Sequence, residues 1–265
     1  MHRHLTWLGA VLALGAGVPL HLTAQDSAPP VQAVLAGNYR FAYIAMGKGR
    51  PVVHLHARWH ALGEPRSFLM ELAGSSRVVS YSRRYFPPNP ARPDDVPADP
   101  TTDAADLVAL VRALRLDAVV LVAEGAGSTA ALRAALREPG LIAGVVLIEP
   151  MVDGPLAVTA DPDTNVGRRD VRVAPMDRPR PADLDAPGRP LRCEEVTGVT
   201  PPLLLIDGTT SEPEIGAAVG RMAACRPGTE VVRVDGAVLT THDPTGTAGA
   251  VARFIATLPH PAPAR

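Results

Sequence analysis

Short apolar runs alternate with segments of helical period along most of this chain. The wholly apolar run 119–123 reaches a Gly/Ala-rich corner at Gly125 and continues into an Ala/Leu/Arg-rich stretch at 130–137. A short apolar run flanked by glycine indicates a buried strand, and the composition that follows it favours a helix. The pattern therefore predicts a strand, a tight turn and a helix around Gly125.

The same alternation continues on both sides of this corner and predicts a mostly parallel sheet with helices on both faces. The predicted strands cover 39–45 (as an edge strand), 51–55, 77–81, 144–148, 203–206 and 230–234. The predicted helices cover 67–72, 104–114 (capped by Thr102 or Asp103), 213–224 and 246–255. A hairpin-type turn is predicted at 47–49. In such α/β folds the sites lie at the carboxyl ends of the strands.

Length and charge narrow the class of protein. A chain of 265 residues accommodates one α/β domain, which we place at 39–258, with a linker at 25–38 and a tail at 259–265. The formal net charge is −1, so no nucleic-acid partner is expected. The sequence does not indicate an oligomeric state.

The first 24 residues have the pattern of an export signal. Two histidines and Arg3 precede an apolar stretch at 5–20, and small residues up to Ala24 form a cleavage site. The apolar stretch is short for a membrane span and Pro19 interrupts it, so cleavage is favoured over a retained anchor. We therefore predict an exported protein, periplasmic or secreted, with no stable membrane span after cleavage.

Export bears on the two cysteines, Cys193 and Cys225. In an oxidising compartment a pair of cysteines favours a disulfide, although two unpaired buried thiols remain the alternative. Neither cysteine has the spacing of a metal ligand, and no metal or cofactor is predicted.

The strand ends, taken in order, resemble the α/β-hydrolase family over about 39–258. Residues 51–57 are similar to the family's apolar strand ending in His-Gly, and 81–85 (Tyr-Ser-Arg-Arg-Tyr) resemble a bacterial subgroup at the next strand end. Residues 103–107 match the helix before the family's nucleophile turn, and 145–150 match the strand after it. The resemblance implies an α/β-hydrolase fold.

The family's chemistry needs a nucleophile, a histidine base, an orienting carboxylate and two backbone N–H groups for the oxyanion. The resemblance places the nucleophile at Gly125, the base at Leu239 and the acid at Glu149. Glycine has no attacking group and leucine cannot accept a proton. Two of the three triad positions are therefore expected to be unable to perform their step.

The other family positions leave alternatives open. Ser128 and His242 are the alternative nucleophile and base, although the sequence favours reading them as an ordinary helix serine and an ordinary loop histidine. The oxyanion donors would be the backbone N–H of Ala126 and a second backbone N–H near Ala57 or Arg58. Without a histidine, Glu149 needs another partner, or stays protonated or hydrated. Its candidate partners are Arg58, Arg83 and Arg84.

The segment 151–200 stands where the family has a helical cap. No regular element is predicted between 150 and the strand at 203. Within this stretch, the many Pro, Asp and Arg residues of 161–192 predict irregular or partly disordered chain, and hence a poorly walled pocket. We interpret the whole as an exported, catalytically degenerate protein that binds a small apolar or acyl ligand, or a protein. The alternatives are an active hydrolase of esters or similar substrates, with Ser128 or a cap residue as nucleophile beside His242 and Glu149, and a scaffold without a ligand.

Overall fold

The computed structural model describes residues 28–57, 60–93, 102–152 and 191–259. The strands are β1 Gln32–Ala36, β2 Tyr39–Met46, β3 Arg50–Leu55, β4 Ser76–Tyr81, β5 Val119–Glu124, β6 Ile142–Ile148, β7 Leu203–Gly208 and β8 Glu230–Val234. The helices are α1 Arg66–Ala73, α2 Thr102–Ala113, α3 Gly127–Arg137, α4 Cys193–Gly198, α5 Pro213–Cys225, α6 Leu239–His242 and α7 Pro244–Thr257.

The eight strands form one sheet in the order β1-β2-β4-β3-β5-β6-β7-β8. The pairs β1/β2 and β2/β4 are antiparallel, and the pairs from β4/β3 to β7/β8 are parallel. Helices α2, α3 and α5 pack on one face, and α1 and α7 pack on the other. The mostly parallel sheet covered on both faces, predicted from the alternation, is confirmed.

Apolar residues from the central strands alternate between two core clusters, one on each face of the sheet. Val120 and Val122 of β5 belong to the cluster under α1 and α7, whereas Leu121 and Ala123 belong to the cluster under α2 and α3. Because successive strand residues point to opposite faces, a strand buried on both sides is expected to be mostly apolar on both. This accounts for the unbroken apolar run 119–123.

The strand predicted at 39–45 is present as β2, but its predicted position at the sheet edge and the hairpin predicted at 47–49 are wrong. Gln32–Ala36, inside the predicted linker 25–38, forms β1 and is the sheet edge, so β2 is an inner strand. Strand β4 lies between β2 and β3, so the turn at Gly47 crosses over the start of β4. A Cβ at Gly47 would lie 2.2 Å from the Ser76 carbonyl oxygen, and its φ is +74°. Glycine is needed there for a close crossing rather than for a hairpin.

Other predicted boundaries shift or lie outside the described residues. Helix α2 begins at Thr102, so Thr102 and Asp103 lie in its first turn rather than capping it. Most of the predicted cap insertion 151–200, the export signal 1–24 and nearly all of the tail 259–265 fall outside the described residues. Within that insertion, Cys193–Gly198 is helical (α4) rather than irregular. None of the helices within the described ranges is long and apolar enough to cross a membrane.

The predicted disulfide between Cys193 and Cys225 is present. It joins the start of α4 to the end of α5, with a Cα–Cα distance of 5.3 Å. The fully buried Val196 packs α4 into the core, and Arg133 of α3 lies 3.3 Å from Glu195 of α4. Helix α4 is therefore held to both α3 and α5.

Candidate functional site

The turn between β5 and α3 is formed by Gly125, which has a φ of +50°. Its N–H donates to the carbonyl of Ile148 at 3.0 Å, and its own carbonyl accepts from the N–H groups of Ser128 (3.2 Å) and Met151 (3.1 Å). A side chain at this φ is strained, and glycine is not. The turn therefore presents backbone at its apex, and no side chain.

Helix α3 approaches the sheet closely just after this turn. A Cβ at Gly127 would lie 3.2 Å from Leu55 Cβ and 3.3 Å from the Leu55 carbonyl oxygen on β3. Those distances are tighter than most contacts between side chains, so only glycine fits without displacement. The small residue two positions after the apex therefore sets how closely α3 packs on β3.

Substituting the apex should destabilise the fold through backbone strain alone. We expect Gly125→Ala to lower the free energy of unfolding by about 1–2 kcal/mol, because an L-residue is disfavoured at positive φ. The matched control is Gly220→Ala in the middle of α5, where a Cβ meets nothing within 4 Å. That control should raise stability by about 0.5–1 kcal/mol. Urea denaturation of both variants measures the difference, and equal effects would contradict a strained apex.

The acid position, Glu149, follows β6 and has a φ of +45°. One carboxylate oxygen accepts from the Val238 N–H at 2.9 Å and from the Ser211 hydroxyl, and the other accepts from the Leu239 N–H at 2.8 Å. The carboxylate therefore holds the backbone of the loop in which the family has its base.

Two of the arginines predicted to pair with Glu149, Arg83 and Arg84, pair with other carboxylates instead. Arg83 forms an ion pair with Asp103, and Arg84 bonds both oxygens of Asp106 at 2.7 Å. These pairs tie the chain after β4 to α2. Arg58 lies outside the described residues. Both described arginines are engaged with α2, so backbone N–H groups and a serine satisfy Glu149 instead.

The base position, Leu239, is fully buried in the core cluster under α1 and α7. Its backbone lies beside Glu149, but its side chain packs among apolar residues. The preceding Val238 has a φ of +52° and makes the sharp entry into α6. Leu239 therefore contacts the Glu149 carboxylate through its backbone N–H group, whereas its side chain packs in the apolar core.

The alternative nucleophile and base are not joined by a hydrogen bond. Ser128 is fully buried in the first turn of α3, and its hydroxyl has no hydrogen-bond partner among the described residues. His242 is exposed at the end of α6, where its N–H donates to the Val238 carbonyl at 3.0 Å. A nucleophile and its base need contact at hydrogen-bond distance in the reacting complex.

The predicted oxyanion donors lie on both sides of the turn. Ala126 follows the apex and is half-buried. Ala57 is buried, and its carbonyl accepts from the His56 ring (2.8 Å) and from the His60 N–H (3.1 Å). Arg58 lies outside the described residues. The assignment of oxyanion donors stays a prediction.

A buried polar cluster around Glu124, the residue before the apex, was not predicted from the sequence. His54 Nε2 lies 2.5 Å from one carboxylate oxygen; His60 Nδ1 (3.2 Å) and the Thr240 hydroxyl (2.8 Å) lie beside the other. Burial alone would raise the pKa of Glu124, but hydrogen bonds from His54 and His60 lower it to about 2. Glu124 is thus a buried carboxylate that links β3, β5 and α6.

The cluster extends across three neighbouring strands. His54 of β3 is paired in register with Ser80 of β4, and its Nδ1 lies 3.2 Å from the Ser80 hydroxyl. Serine, histidine and Glu124 thus form a connected chain, but the Ser80 hydroxyl is fully buried. A nucleophile must reach its substrate, so this chain serves to satisfy buried polar groups rather than to attack.

A second buried histidine ends β3. Burial lowers the pKa of His56 to about 3. Its Nδ1 donates to the Ala57 carbonyl, and its ring packs edge-on against Phe86 with centroids 5.4 Å apart. His56 is therefore a neutral packing residue at the site. Within the described ranges, no group of three or more His, Cys, Asp or Glu side chains is placed to hold a metal ion.

The sequence carried a weak indication of this cluster. His54 is a polar residue inside an otherwise apolar central strand, and Glu124 is a charged residue at the end of another. Such residues, when buried, require polar partners. Their partners His60, Thr240 and Ser80 come from three other segments, which strand patterning alone does not bring together.

Comparison with known proteins finds this architecture in solved structures of hydrolases. No family model matches the chain, and no curated protein matches it. Among solved structures, the chain is similar to naproxen esterase from Bacillus subtilis (17% identity, 85% of this chain and 91% of that chain, TM-score 0.67). It is similar to a membrane phospholipase A described as a bacterial virulence factor (17% identity, 86% of this chain and 86% of that chain, TM-score 0.69). It is also similar to a serine hydrolase involved in carbazole degradation (18% identity, 86% of this chain and 98% of that chain, TM-score 0.65).

These similarities confirm the α/β-hydrolase fold expected from the order of the strand ends. They extend over more than four-fifths of the chain, at sequence identities below 20%. At that level of identity the likeness concerns the fold, and activity has to be argued from the site.

Proposed function

We propose that this chain is an exported α/β-hydrolase-fold protein whose catalytic triad is degraded and which binds a ligand without hydrolysing it. The ligand class we favour is a small apolar or acyl molecule, with a protein partner as the second option. The fold's site residues occupy the carboxyl edge of the sheet, as expected for an open α/β sheet. The chemistry at that edge differs from that of a hydrolase.

The observation that carries the proposal is the apex itself. Gly125 has the positive φ of a sharp strand-to-helix turn, and it offers no oxygen or sulfur for attack. Nucleophilic acyl transfer requires such a group, activated by a neighbouring base. With glycine at the apex, only backbone groups face a ligand there.

The acid and base positions support the same proposal. Both oxygens of Glu149 accept hydrogen bonds from Val238, Leu239 and Ser211, so this carboxylate orients a loop rather than an imidazole. Leu239 packs its side chain in the core. Loss of one triad member costs roughly 10⁴-fold in rate in worked protease cases, and here two positions lack the required group.

Export is part of the proposal and rests on separate observations. Residues 1–24 have the composition of a secretory signal. The Cys193–Cys225 disulfide is of a kind that persists in oxidising compartments. A protein secreted into the periplasm or beyond would keep this bond.

Hydrolysis of short p-nitrophenyl acyl esters tests the proposal directly. We expect the rate with the wild-type protein to equal the rate in buffer, and to stay there in Ser128→Ala and His242→Ala. Catalysis that disappears in both variants would overturn the proposal and favour a relocated nucleophile. The buried Ser128 and the exposed His242 argue for the first outcome.

Reversion tests the assignment of the two substituted positions. We expect slow turnover in the double variant Gly125→Ser/Leu239→His and none in either single variant, because a hydroxyl and a base are both required. The apolar surroundings of position 239 should keep this rate well below that of a complete triad. Turnover in the Gly125→Ser variant alone would show that another residue serves as the base.

Binding is tested by thermal shift with fatty acids and acyl esters of graded chain length. A rise in melting temperature that saturates with ligand supports the binding role. No shift with any chain length would favour a scaffold without a ligand.

A further inference from the structure

Val238 combines properties that the fold itself does not require. Its φ of +52° lies in the left-handed region, which β-branched residues rarely adopt, and the residue is 39% exposed. Among the described residues other than glycine that have a positive φ, it is the one with a β-branched side chain. Glycine or asparagine would adopt this conformation with less strain. The fold therefore accepts backbone strain at a position that is open to solvent.

The backbone of Val238 is fixed by hydrogen bonds that do not involve its side chain. Its N–H donates to Glu149 Oε1 at 2.9 Å, and its carbonyl accepts from the N–H groups of Thr241 (2.9 Å) and His242 (3.0 Å). Asparagine or glycine at 238 would form the same bonds. These bonds account for the backbone conformation but not for a valine side chain. A strained and exposed residue beside a candidate site indicates a functional contact.

A second exposed apolar residue, Met151, lies in the neighbouring loop. Its N–H donates to the carbonyl of Gly125 at the apex of the turn, at 3.1 Å, and the residue is 39% exposed. It follows Glu149, whose carboxylate holds Val238, by two positions. The backbones of Met151 and Val238 are thus both attached to the segment that adjoins the apex. Methionine is also the apolar side chain that adapts most easily to the shape of a ligand.

These two residues differ in location from the other large apolar residues that are exposed within the described ranges, which are Val31, Leu35, Met70 and Val231. Those four lie beside or within β1, in α1 and in β8, and none is in a loop that follows a parallel strand. Met151 follows β6 and Val238 follows β8. They therefore lie at the edge where open α/β sheets bind their ligands.

The charges around this pair disfavour an anionic ligand. The carboxylate of Glu149 accepts directly from the Val238 N–H, so a ligand carboxylate beside Val238 would meet a like charge. The arginines after β4, Arg83 and Arg84, are each engaged with an aspartate of α2. An uncharged chain would meet apolar side chains without this repulsion.

We propose that Val238 and Met151 form the contact surface for an uncharged alkyl or acyl chain, and that the valine is present for this contact at the expense of folding stability. The inference rests on the proposed binding role and specifies the chemistry of the ligand. Binding would remove exposed apolar surface of both side chains from water, which favours the complex. Neutral alcohols and esters with an alkyl chain should therefore bind in preference to free fatty acids.

Two matched substitutions separate this contact from the stability of the fold. Val238→Asn introduces a polar side chain of similar size that tolerates the left-handed region. Val231→Asn makes the same change in β8, where the valine is 43% exposed and lies in an extended strand. We expect Val238→Asn to raise the melting temperature by about 2–4 °C. Val231→Asn should lower it, because asparagine is disfavoured in strands.

Isothermal titration calorimetry with n-octanol, methyl octanoate and octanoate measures the contact, at a mildly alkaline pH where free histidine is neutral. We expect the wild type to bind the alcohol and the ester about tenfold more tightly than octanoate. Val238→Asn and Met151→Gln should each weaken binding of the two neutral probes about five- to tenfold. Val231→Asn should leave these affinities unchanged.

Several results would overturn the inference and leave the binding role intact. They are equal affinities in the wild type and both site variants, octanoate binding as tight as that of the neutral probes, and a fall in melting temperature for Val238→Asn as large as that for Val231→Asn. A wild-type dimer that Val238→Asn dissociates, measured by light scattering, would assign the surface to a second copy instead. A wild type that binds none of the probes would overturn both the inference and the proposed binding of a small apolar or acyl ligand.

Discussion

Replacing Glu124 by glutamine is expected to lower the free energy of unfolding by about 3–5 kcal/mol, because it removes one partner of a buried charged cluster. Glutamine keeps the shape of the side chain but offers one accepting oxygen in place of two. His54, His60 and Thr240 then compete for that oxygen, and at least one buried polar group loses its partner. Urea denaturation at neutral pH measures the change.

An exposed ion pair provides the matched control. Glu138 pairs with Arg112 at 2.8 Å, and the arginine side chain is mostly exposed. We expect Glu138→Gln to cost less than about 1 kcal/mol, because solvent screens such pairs. Similar losses in the two variants would show that burial does not strengthen the Glu124 cluster.

The pH dependence identifies the cause of the loss. The pKa of Glu124 is about 2 in the folded chain, below its ordinary value of 4.5. A lowered carboxyl pKa adds stability above pH 4.5, and this stability is lost as the pH falls through about 2. The difference between wild type and Glu124→Gln should therefore be largest above pH 4.5 and shrink towards pH 2. A constant difference over that range would contradict an ionic origin.

Removing the disulfide with Cys193→Ser/Cys225→Ser is expected to lower the free energy of unfolding by about 3–4 kcal/mol. The bond closes a loop between residues 32 positions apart, and in the chain-entropy account the loss scales with the logarithm of that length. Both ends lie on helices that are also held by packing, so the folded chain needs no rearrangement. Thermal or urea denaturation of the oxidised wild type and the double variant measures the loss.

Reductant supplies the control for this second prediction. Reduced wild type should match the double variant, and reductant should leave the double variant unchanged. If reductant left the free energy of unfolding of the wild type unchanged, the disulfide would not be a stabilising cross-link. Loss of stability in the double variant without a matching loss on reduction would point to the serine substitutions themselves.

The strands and helices of the central sheet could be predicted because local pattern decides them. The apolar run before Gly125 is buried on both faces, and α7 follows the expected helical period. The disulfide followed from the even cysteine count and the export signal. In each case the physical cause lies within a few residues, or in a property of the whole chain.

The remaining features depend on contacts between distant segments. β1 lies in a segment whose proline content indicated a linker, and only its pairing with β2 makes it a strand. The Gly47 turn looks like a hairpin until β4 is placed between its two strands. Thr240 contacts Glu124 across 116 positions of sequence. No periodicity over a short window encodes such a contact.

The close contact of Gly127 with Leu55 has a consequence for how this scaffold can change over evolution. The helix rests on β3 through Gly127, so we expect the bend to persist when its tip carries a side chain, at the cost in stability expected for Gly125→Ala. Residue 125 can therefore change without loss of the fold. For protein engineering, the tip is an attachment point for a new functional group, and asparagine or aspartate would tolerate its left-handed backbone best.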